Sequence, residues 1–355
     1  MSKQRLISEI ELLIRRDPAR RGLIGADGNG PGEGELGAAS ELFLGAAFGA
    51  CLITGFFIPA MPPGESGSGS LDSGVEGKFG NAETDGPPGT VVLADVLAGL
   101  GIPVTVITDE LCESVVRSAC SAGIDHEVNI FVSPIEQRAA ATWRADILSQ
   151  DEFQNLSHIV AIERVGPGHT IASLDSGELS AASFSGMQGE PNTPVLPGHC
   201  CNMRGENIDP FSADLHVLVE AARLQKPTVT LIGVGDGGNE IGMGRFPWSE
   251  LRTRIPGPNA DRIPCRIAAD RTIVAGVSNW GAYALAAAIA VQHDRIELLE
   301  RHTVQSQQRL IERIVSEAGA VDGVTRRNEP TVDGLPFVTQ IQPWIAIRQR
   351  LGLQP

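Results

Sequence analysis

Thr228-Val-Thr-Leu-Ile-Gly-Val-Gly-Asp-Gly-Gly-Asn-Glu-Ile-Gly-Met-Gly244 is the stretch that decides the fold. It begins as a short run of β-branched and aliphatic residues and passes straight into glycines and polar side chains. A continuous apolar run marks a strand buried on both faces, and a polar loop at its carboxyl end is where open α/β sheets bind ligands. Working outward, the same unit recurs. A helix over Thr90 to Leu100 leads to a strand over Pro103 to Ile107, and Glu110 to Ala122 leads to Val128 to Val132. Pro134 to Leu148 leads to His158 to Ile162, and Ser212 to Leu224 leads to the quoted strand, Thr228 to Val234. Repeated βα units predict a mainly parallel, doubly wound, Rossmann-like sheet with helices on both faces.

The flanks complete this reading. Ser2 to Arg16 is an amphipathic helix with Leu6, Ile10, Leu13 and Ile14 on one face. A glycine-rich loop, Gly25 to Gly34, precedes a helix near Ala38 to Ala46 and a strand near Cys51 to Ile58. Residues 59–89 are rich in Pro, Gly and Ser, and the part at 59–82 reads as a flexible insertion, a lid or a dispensable loop. The tail carries helices near Val304 to Ala318 and Val338 to Leu351. No repeat or boundary divides the chain, so residues 1–355 are read as one large α/β domain.

Composition excludes several classes. Hydrophobic residues are 42% and charged residues 20%, which is globular material. Lys and Arg number 28 against 43 Asp and Glu, a formal charge of −15, and such a surface repels phosphate backbones. Aromatics are 5%, so base stacking is not a theme and no nucleic-acid partner is expected. Six cysteines without a CxxC read as reduced and intracellular, and with no secretory or transit signal the protein is expected to be cytoplasmic. Leu42 to Met61 and Thr272 to Gln292 are uncharged and long enough to span a bilayer. Gly45, Gly49, Gly55 and Pro59 break the first, and Ser278-Asn279 splits the second into strand Ile273 to Val277 and an Ala-rich helix from Trp280. Neither is read as a membrane span. A homo-oligomer is allowed.

Polar residues that follow strands are the site candidates. The Gly233 to Gly244 loop satisfies GxGxxG at Gly233, Gly235 and Gly238, but Gly242, Gly244 and Pro247 oppose the helix that a dinucleotide loop should open. Asp236, Asn239 and Glu240 crowd polar groups there, which favours a ligand or metal loop. A second GxGxxG at Gly32, Gly34 and Gly37 follows no strand, and Asp27, Glu33 and Glu35 would repel phosphate. Glu163-Arg164 after Ile162 can pair with each other or bind an amino acid. His199, Asn202, Arg204, Glu206 and Asn207 fall within ten residues, a density that suggests a site. The vicinal Cys200-Cys201 is read as buried rather than nucleophilic.

Several runs together resemble the D-glutamate cyclase family, specifically its C-terminal domain. They are Glu83-Thr-Asp-Gly-Pro-Pro-Gly89, Ile162-Glu-Arg, Asn202-Met-Arg-Gly-Glu206, Ile232 to Gly244 and Thr331-Val-Asp-Gly-Leu-Pro336. The resemblance implies conversion of D-glutamate to 5-oxo-D-proline with loss of water, and a soluble enzyme acting on an acidic amino acid. That reaction sets three tasks: deprotonate the ammonium, neutralise the γ-carboxylate and protonate the departing hydroxide. Asp236, Glu240 and Glu163 are the expected catalytic acids and bases. Arg204, Arg164, Asn202, Asn239, Asp85, Gly235, Gly237 and Gly238 are the expected substrate contacts. Asp236 and Glu240 are the expected ligands if Mn²⁺ or Mg²⁺ serves. Two other readings stay open: a nucleotide-dependent oxidoreductase using Gly233 to Gly238, and a non-catalytic small-ligand protein.

Overall fold

Eight of the ten strands among the described residues position the site in the computed structural model, which describes residues 2–45, 48–60, 80–174, 177–178 and 196–355. They are β1 (Ala50–Thr54), β2 (Phe57–Pro59), β3 (Gly80–Ala82), β4 (Val104–Asp109), β5 (Asn129–Ser133), β6 (His158–Ile162), β7 (Thr230–Gly235) and β8 (Arg271–Val274). Six form one sheet in the order β5-β4-β1-β6-β7-β8, and every pairing in it is parallel. The chain builds outward from β1 through β4 to β5, then returns to the other side of β1 at β6 and builds outward again. The strand order therefore reverses between β1 and β6, and in such sheets the crevice beyond that reversal is where ligands sit.

Helices cover both faces, as the βα alternation predicts. One face packs α1 (Lys3–Ile14), α2 (Glu35–Glu41), α3 (Pro87–Gly99) and α4 (Glu113–Gly123). The opposite face packs α5 (Gln137–Leu148), α6 (Leu215–Gln225) and α7 (Trp248–Arg254). The first face is completed by α8 (Ser278–Gln292), α9 (Val304–Ala318) and α10 (Gln342–Arg350). Strand side chains alternate between the two cores. Leu52, Val106, Val160 and Ile232 point to the first, and Ile53, Ile107, Ile159 and Leu231 to the second.

The two long uncharged stretches resolve as globular structure. Thr272 to Gln292 supplies most of β8 and then α8, which is buried all round between α1, α2 and α3. No helix among the described residues is long and apolar enough to cross a membrane. The strand expected over Cys51 to Ile58 breaks in two at Gly55. Its φ is +101°, and a Cβ there would lie 2.7 Å from Thr108 Oγ1 and 2.8 Å from Cys112 Cβ. After that break β2 turns away and pairs antiparallel with β3. The insertion expected at 59–82 is thus closed at its base by this short ladder, while residues 61–79 lie outside the described residues.

The glycine-rich loop at 25–34 has a structural account. Arg15 donates to the carbonyls of Gly28, Gly30 and Pro31 at 2.9, 3.0 and 3.1 Å. Glu11 accepts the backbone N–H groups of Gly34 and Leu36, both at 3.1 Å, at the start of α2. The anion position at that helix terminus is filled by the protein's own carboxylate.

Candidate active site

Glu163 is the first residue beyond β6, at the reversal between β1 and β6, and its backbone is left-handed, with φ +43°. The strain turns its side chain toward the first turn of α8, where Ser278 Oγ donates to its carboxylate. Gly86 leaves room for this, since a Cβ there would lie 2.8 Å from Glu163 Cβ. Asp85 reaches the same place from the loop after β3. Its Oδ2 accepts the N–H of Ser278 at 2.8 Å and its Oδ1 that of Asn279 at 2.7 Å, so it caps α8. Asn279 Oδ1 in return accepts the N–H groups of Gly86 at 3.1 Å and Gly89 at 2.7 Å at the start of α3. Two helix termini thus staple each other beside Glu163.

Asp236 enters from the loop after β7. It is 2% exposed, and neither carboxyl oxygen has a hydrogen-bond partner. Among the described residues, Asp85, Glu163 and Asp236 each offer one carboxyl oxygen to a group of three that lie within 4.8 Å of one another. Glu83 and Asp333 add two more buried carboxylates. Among the described residues, the one cation in their midst is Arg21, which pairs with Asp333 and sits 3.8 Å from Asp236. Burial pushes the Asp85 carboxyl up to about 8, and Asp333 adds to the shift. Burial likewise raises Glu83, with Asp333 and Asp85 assisting, and raises Glu163, with Glu240 and Glu83 assisting. Asp236 is raised by burial against the pull of Arg21. Five carboxylates facing one guanidinium cannot all ionise in a dry site, so protons or a bound cation must complete the charge.

A pocket of about 220 Å³ opens above this cluster. Glu83, Glu163 and Arg21 face into it from the floor, Asn202, Met203 and Asn239 from one wall, and Arg20 and Arg204 from the rim. Asn202 shapes the wall, because its Oδ1 accepts the N–H groups of Arg204 at 2.9 Å and Glu206 at 3.1 Å. Asn239 Nδ2 donates to the Cys201 carbonyl at 2.8 Å and closes the wall from the other side.

Two expected residues stand elsewhere. Arg164 does not line the pocket, and both of its terminal nitrogens are engaged elsewhere. It pairs with Asp109 at 2.7 Å and donates to Gly55 O, Ser212 Oγ and Ala213 O at 2.7–2.8 Å. Glu240 is buried, and its carboxylate accepts the N–H groups of Asp236, Gly237 and Gly238 at 2.9, 2.7 and 2.8 Å. These amides belong to the GxGxxG-like loop, and a phosphate would have to expel Glu240 to use them. The glycines do not leave space for a ligand either. A Cβ on Gly235 would lie 2.6 Å from Glu240 Cδ, one on Gly237 2.6 Å from Met203 Sδ, and one on Gly238 3.0 Å from Ile255 Cδ1. The loop wraps its own side chains, and this geometry speaks against the nucleotide reading.

Arg21, Glu83 and Asp333 are the cluster members that reasoning from residue patterns did not place, whereas Ser278 is a candidate because it follows a predicted strand. Asp333 sits in an Asp-Gly turn (φ +54° and +74°), a signal that identifies no ligand site. Arg21 carries no signal at all. The cysteines offer no nucleophile, for all six are free and buried, and burial holds Cys201 up at about 11.

The chain matches the D-glutamate cyclase-like, C-terminal family over residues 10–172 and 195–345. It belongs to that family. It is also 30% identical over 299 residues to a human protein, D-glutamate cyclase, mitochondrial. The aligned region is 82% of this chain and 40% of the human protein, so the chain spans about two fifths of that relative. Family membership covers every segment that meets at the pocket, from Arg21 through Glu163 and Asp236 to Asp333.

Proposed function

We propose that this member of the cyclase family closes an acidic amino acid of the D-glutamate type into the five-membered lactam 5-oxo-D-proline, releasing water. The observation that carries the reading is the pocket floor, where several carboxylates are held in their protonatable range beside a basic rim. In the reaction the α-amine attacks the γ-carboxyl carbon, one C–N bond forms and one C–O bond breaks. The nitrogen gives up two protons and the departing oxygen takes up two, so the site only has to carry protons from one to the other. Glu163 and Glu83 face the pocket and suit that relay. Asp236 and Asp85 lie directly behind Glu163 and set its charge state. We assign Glu240 and Arg164 to holding the loop and the sheet edge rather than to substrate.

A hard divalent cation such as Mn²⁺ or Mg²⁺ fits the donor set, because Asp85, Glu163 and Asp236 offer converging oxygens and both of Asp236's lack a partner. Bound there, it would neutralise the γ-carboxylate as a Lewis acid. We read the protein as cytoplasmic; its unpaired cysteines suit a reducing compartment, while the name of the human relative places that protein in the mitochondrion.

The test is direct. Purified protein is incubated with D-glutamate, with Mn²⁺ or with a chelator, and amine loss and lactam formation are followed by NMR. Lactam should accumulate from D-glutamate at least about tenfold faster than from L-glutamate, because fixed groups meeting the α-carbon from set directions misplace the amine of the wrong enantiomer. No lactam under any condition refutes the reading, and equal turnover of the enantiomers refutes a fixed α-carbon pocket.

A further inference from the structure

Charge in the pocket runs in one direction. The floor holds Glu83 and Glu163 with three more carboxylates near them, and the rim holds Arg20 and Arg204. Both rim arginines are held by their backbones. Asp17 accepts the N–H groups of Arg21 at 2.8 Å and Gly22 at 2.7 Å, and this fixes the turn in which Arg20 takes a left-handed φ of +57°. That turn has no slack, since a Cβ on Gly22 would lie 2.1 Å from the Arg254 carbonyl. On the other side Asn259 Nδ2 donates to the Arg204 carbonyl at 2.6 Å, and Arg204 Nη2 donates to the Val324 carbonyl at 2.8 Å. Among the described residues no carboxylate forms an ion pair with either Arg20 or Arg204. Partial burial, and then the nearby Arg326, lower the Arg204 pKa against the opposing pull of Glu206, whose carboxylate is paired with Arg326.

The two carboxylates of the substrate differ in what becomes of their charge. The reacting one must lose it and can therefore enter an acidic floor. The other keeps a full negative charge throughout and is repelled from that floor. Resting on the cyclisation reading, we propose that Arg20 and Arg204 form a subsite for the non-reacting α-carboxylate. The substrate class is then restricted to amino acids with that carboxylate free, and the γ-carboxyl is directed to Glu163.

The product provides a probe, because 5-oxo-D-proline retains the α-carboxylate and has lost the γ-carboxylate. Binding of 5-oxo-D-proline and of 2-pyrrolidinone, the same ring without a carboxylate, is measured by calorimetry on the wild type, Arg20→Met and Arg204→Met. Kinetics with D-glutamate run in parallel. Each substitution should weaken 5-oxo-D-proline binding and raise KM about tenfold or more, the loss expected for a charge-assisted hydrogen bond, with kcat held within about threefold. Binding of 2-pyrrolidinone should not change. Both residues are exposed, and Arg204→Met gives up one surface hydrogen bond, to the Val324 carbonyl, so the melting temperature should shift little and a melt run beside the binding data separates lost binding from unfolding. Variants that bind 5-oxo-D-proline and turn over D-glutamate like the wild type overturn the subsite and leave the cyclisation reading intact. A wild type that binds 5-oxo-D-proline through these arginines but forms no lactam upholds the subsite and overturns the cyclisation reading. A wild type that does neither overturns both.

Discussion

Asp236 and Glu240 stand four positions apart in one loop and are about equally buried, at 2% and 1% exposure, yet their carboxylates have opposite surroundings. The Glu240 carboxylate is satisfied by three amides, while the carboxyl oxygens of Asp236 have no hydrogen-bond partner and face other carboxylates. Their isosteric amides should therefore behave in opposite ways. Asp236→Asn removes repulsion, so the melting temperature should hold or rise, while turnover falls about 10²- to 10⁴-fold, as for loss of a group that carries or sets a proton. Glu240→Gln removes charge-assisted bonds and sets an NH₂ against backbone donors, which should cost about 2–4 kcal/mol of stability. Thermal melts and lactam assays on the two variants check this. Full activity in Asp236→Asn would remove Asp236 from the chemistry, and an unchanged melt in Glu240→Gln would contradict the loop's hydrogen bonding.

Among the elements, the decisive contact is the reciprocal capping of α3 and α8. Asn279 is fully buried and its amide oxygen serves two donors at the start of α3, while Asp85 serves two at the start of α8. Asn279→Ala strands the Gly89 donor and leaves the Gly86 N–H only its 3.0 Å bond to Asp85 Oδ1, which should cost about 1–3 kcal/mol. It should also loosen Gly86, which packs against Glu163, so kcat should fall more than KM rises. A melt and steady-state kinetics decide, and an unchanged melting temperature would show that the staple carries no weight. These elements were legible in advance because a parallel strand is an apolar run and its helix follows at a short interval. Val304 to Ala318 was bounded correctly because Thr303 caps it and Gly319, at φ +73°, ends it. The position of Glu163 at a strand end was legible for the same reason. What escaped was what fills the loops. A glycine-rich turn reads alike whether a ligand or a glutamate such as Glu240 occupies its amides. Arg21 and Asp333 form an ion pair across 312 positions, and no local pattern connects them.

For the whole molecule, the buried acids should make stability depend on pH in an unusual direction. The Asp85 carboxyl is held up at about 8, chiefly by burial, against about 3.9 in an unfolded chain. Over that interval the native state keeps a proton that the unfolded chain has already released, so stability is lost as pH rises toward 8. Glu83, Glu163 and Asp236 are raised as well and act in the same direction. Two other groups of residues oppose them, but at lower pH. Burial lowers His158, His169 and His216, so their contribution grows as pH rises to about 6.5 and is then complete. Asp95, though partly buried, is held low by hydrogen bonds from His302 and His126, and its contribution is lost only in acid. The range from about pH 7 to 8.5 therefore reports on the acidic cluster. In chelator the melting temperature should fall across that range. A divalent cation takes the place of the missing protons, so Mn²⁺ should raise the melting temperature more at pH 8.5 than at pH 7. Asp236→Asn should flatten both responses, because one of the buried carboxyls with a raised pKa and no hydrogen-bond partner can then neither release a proton nor bind a cation. A wild-type melting temperature that is level from pH 7 to 8.5 and indifferent to Mn²⁺ would mean that the cluster is neither proton-loaded nor cation-seeking, and the proposed chemistry at Glu163 would lose its physical basis.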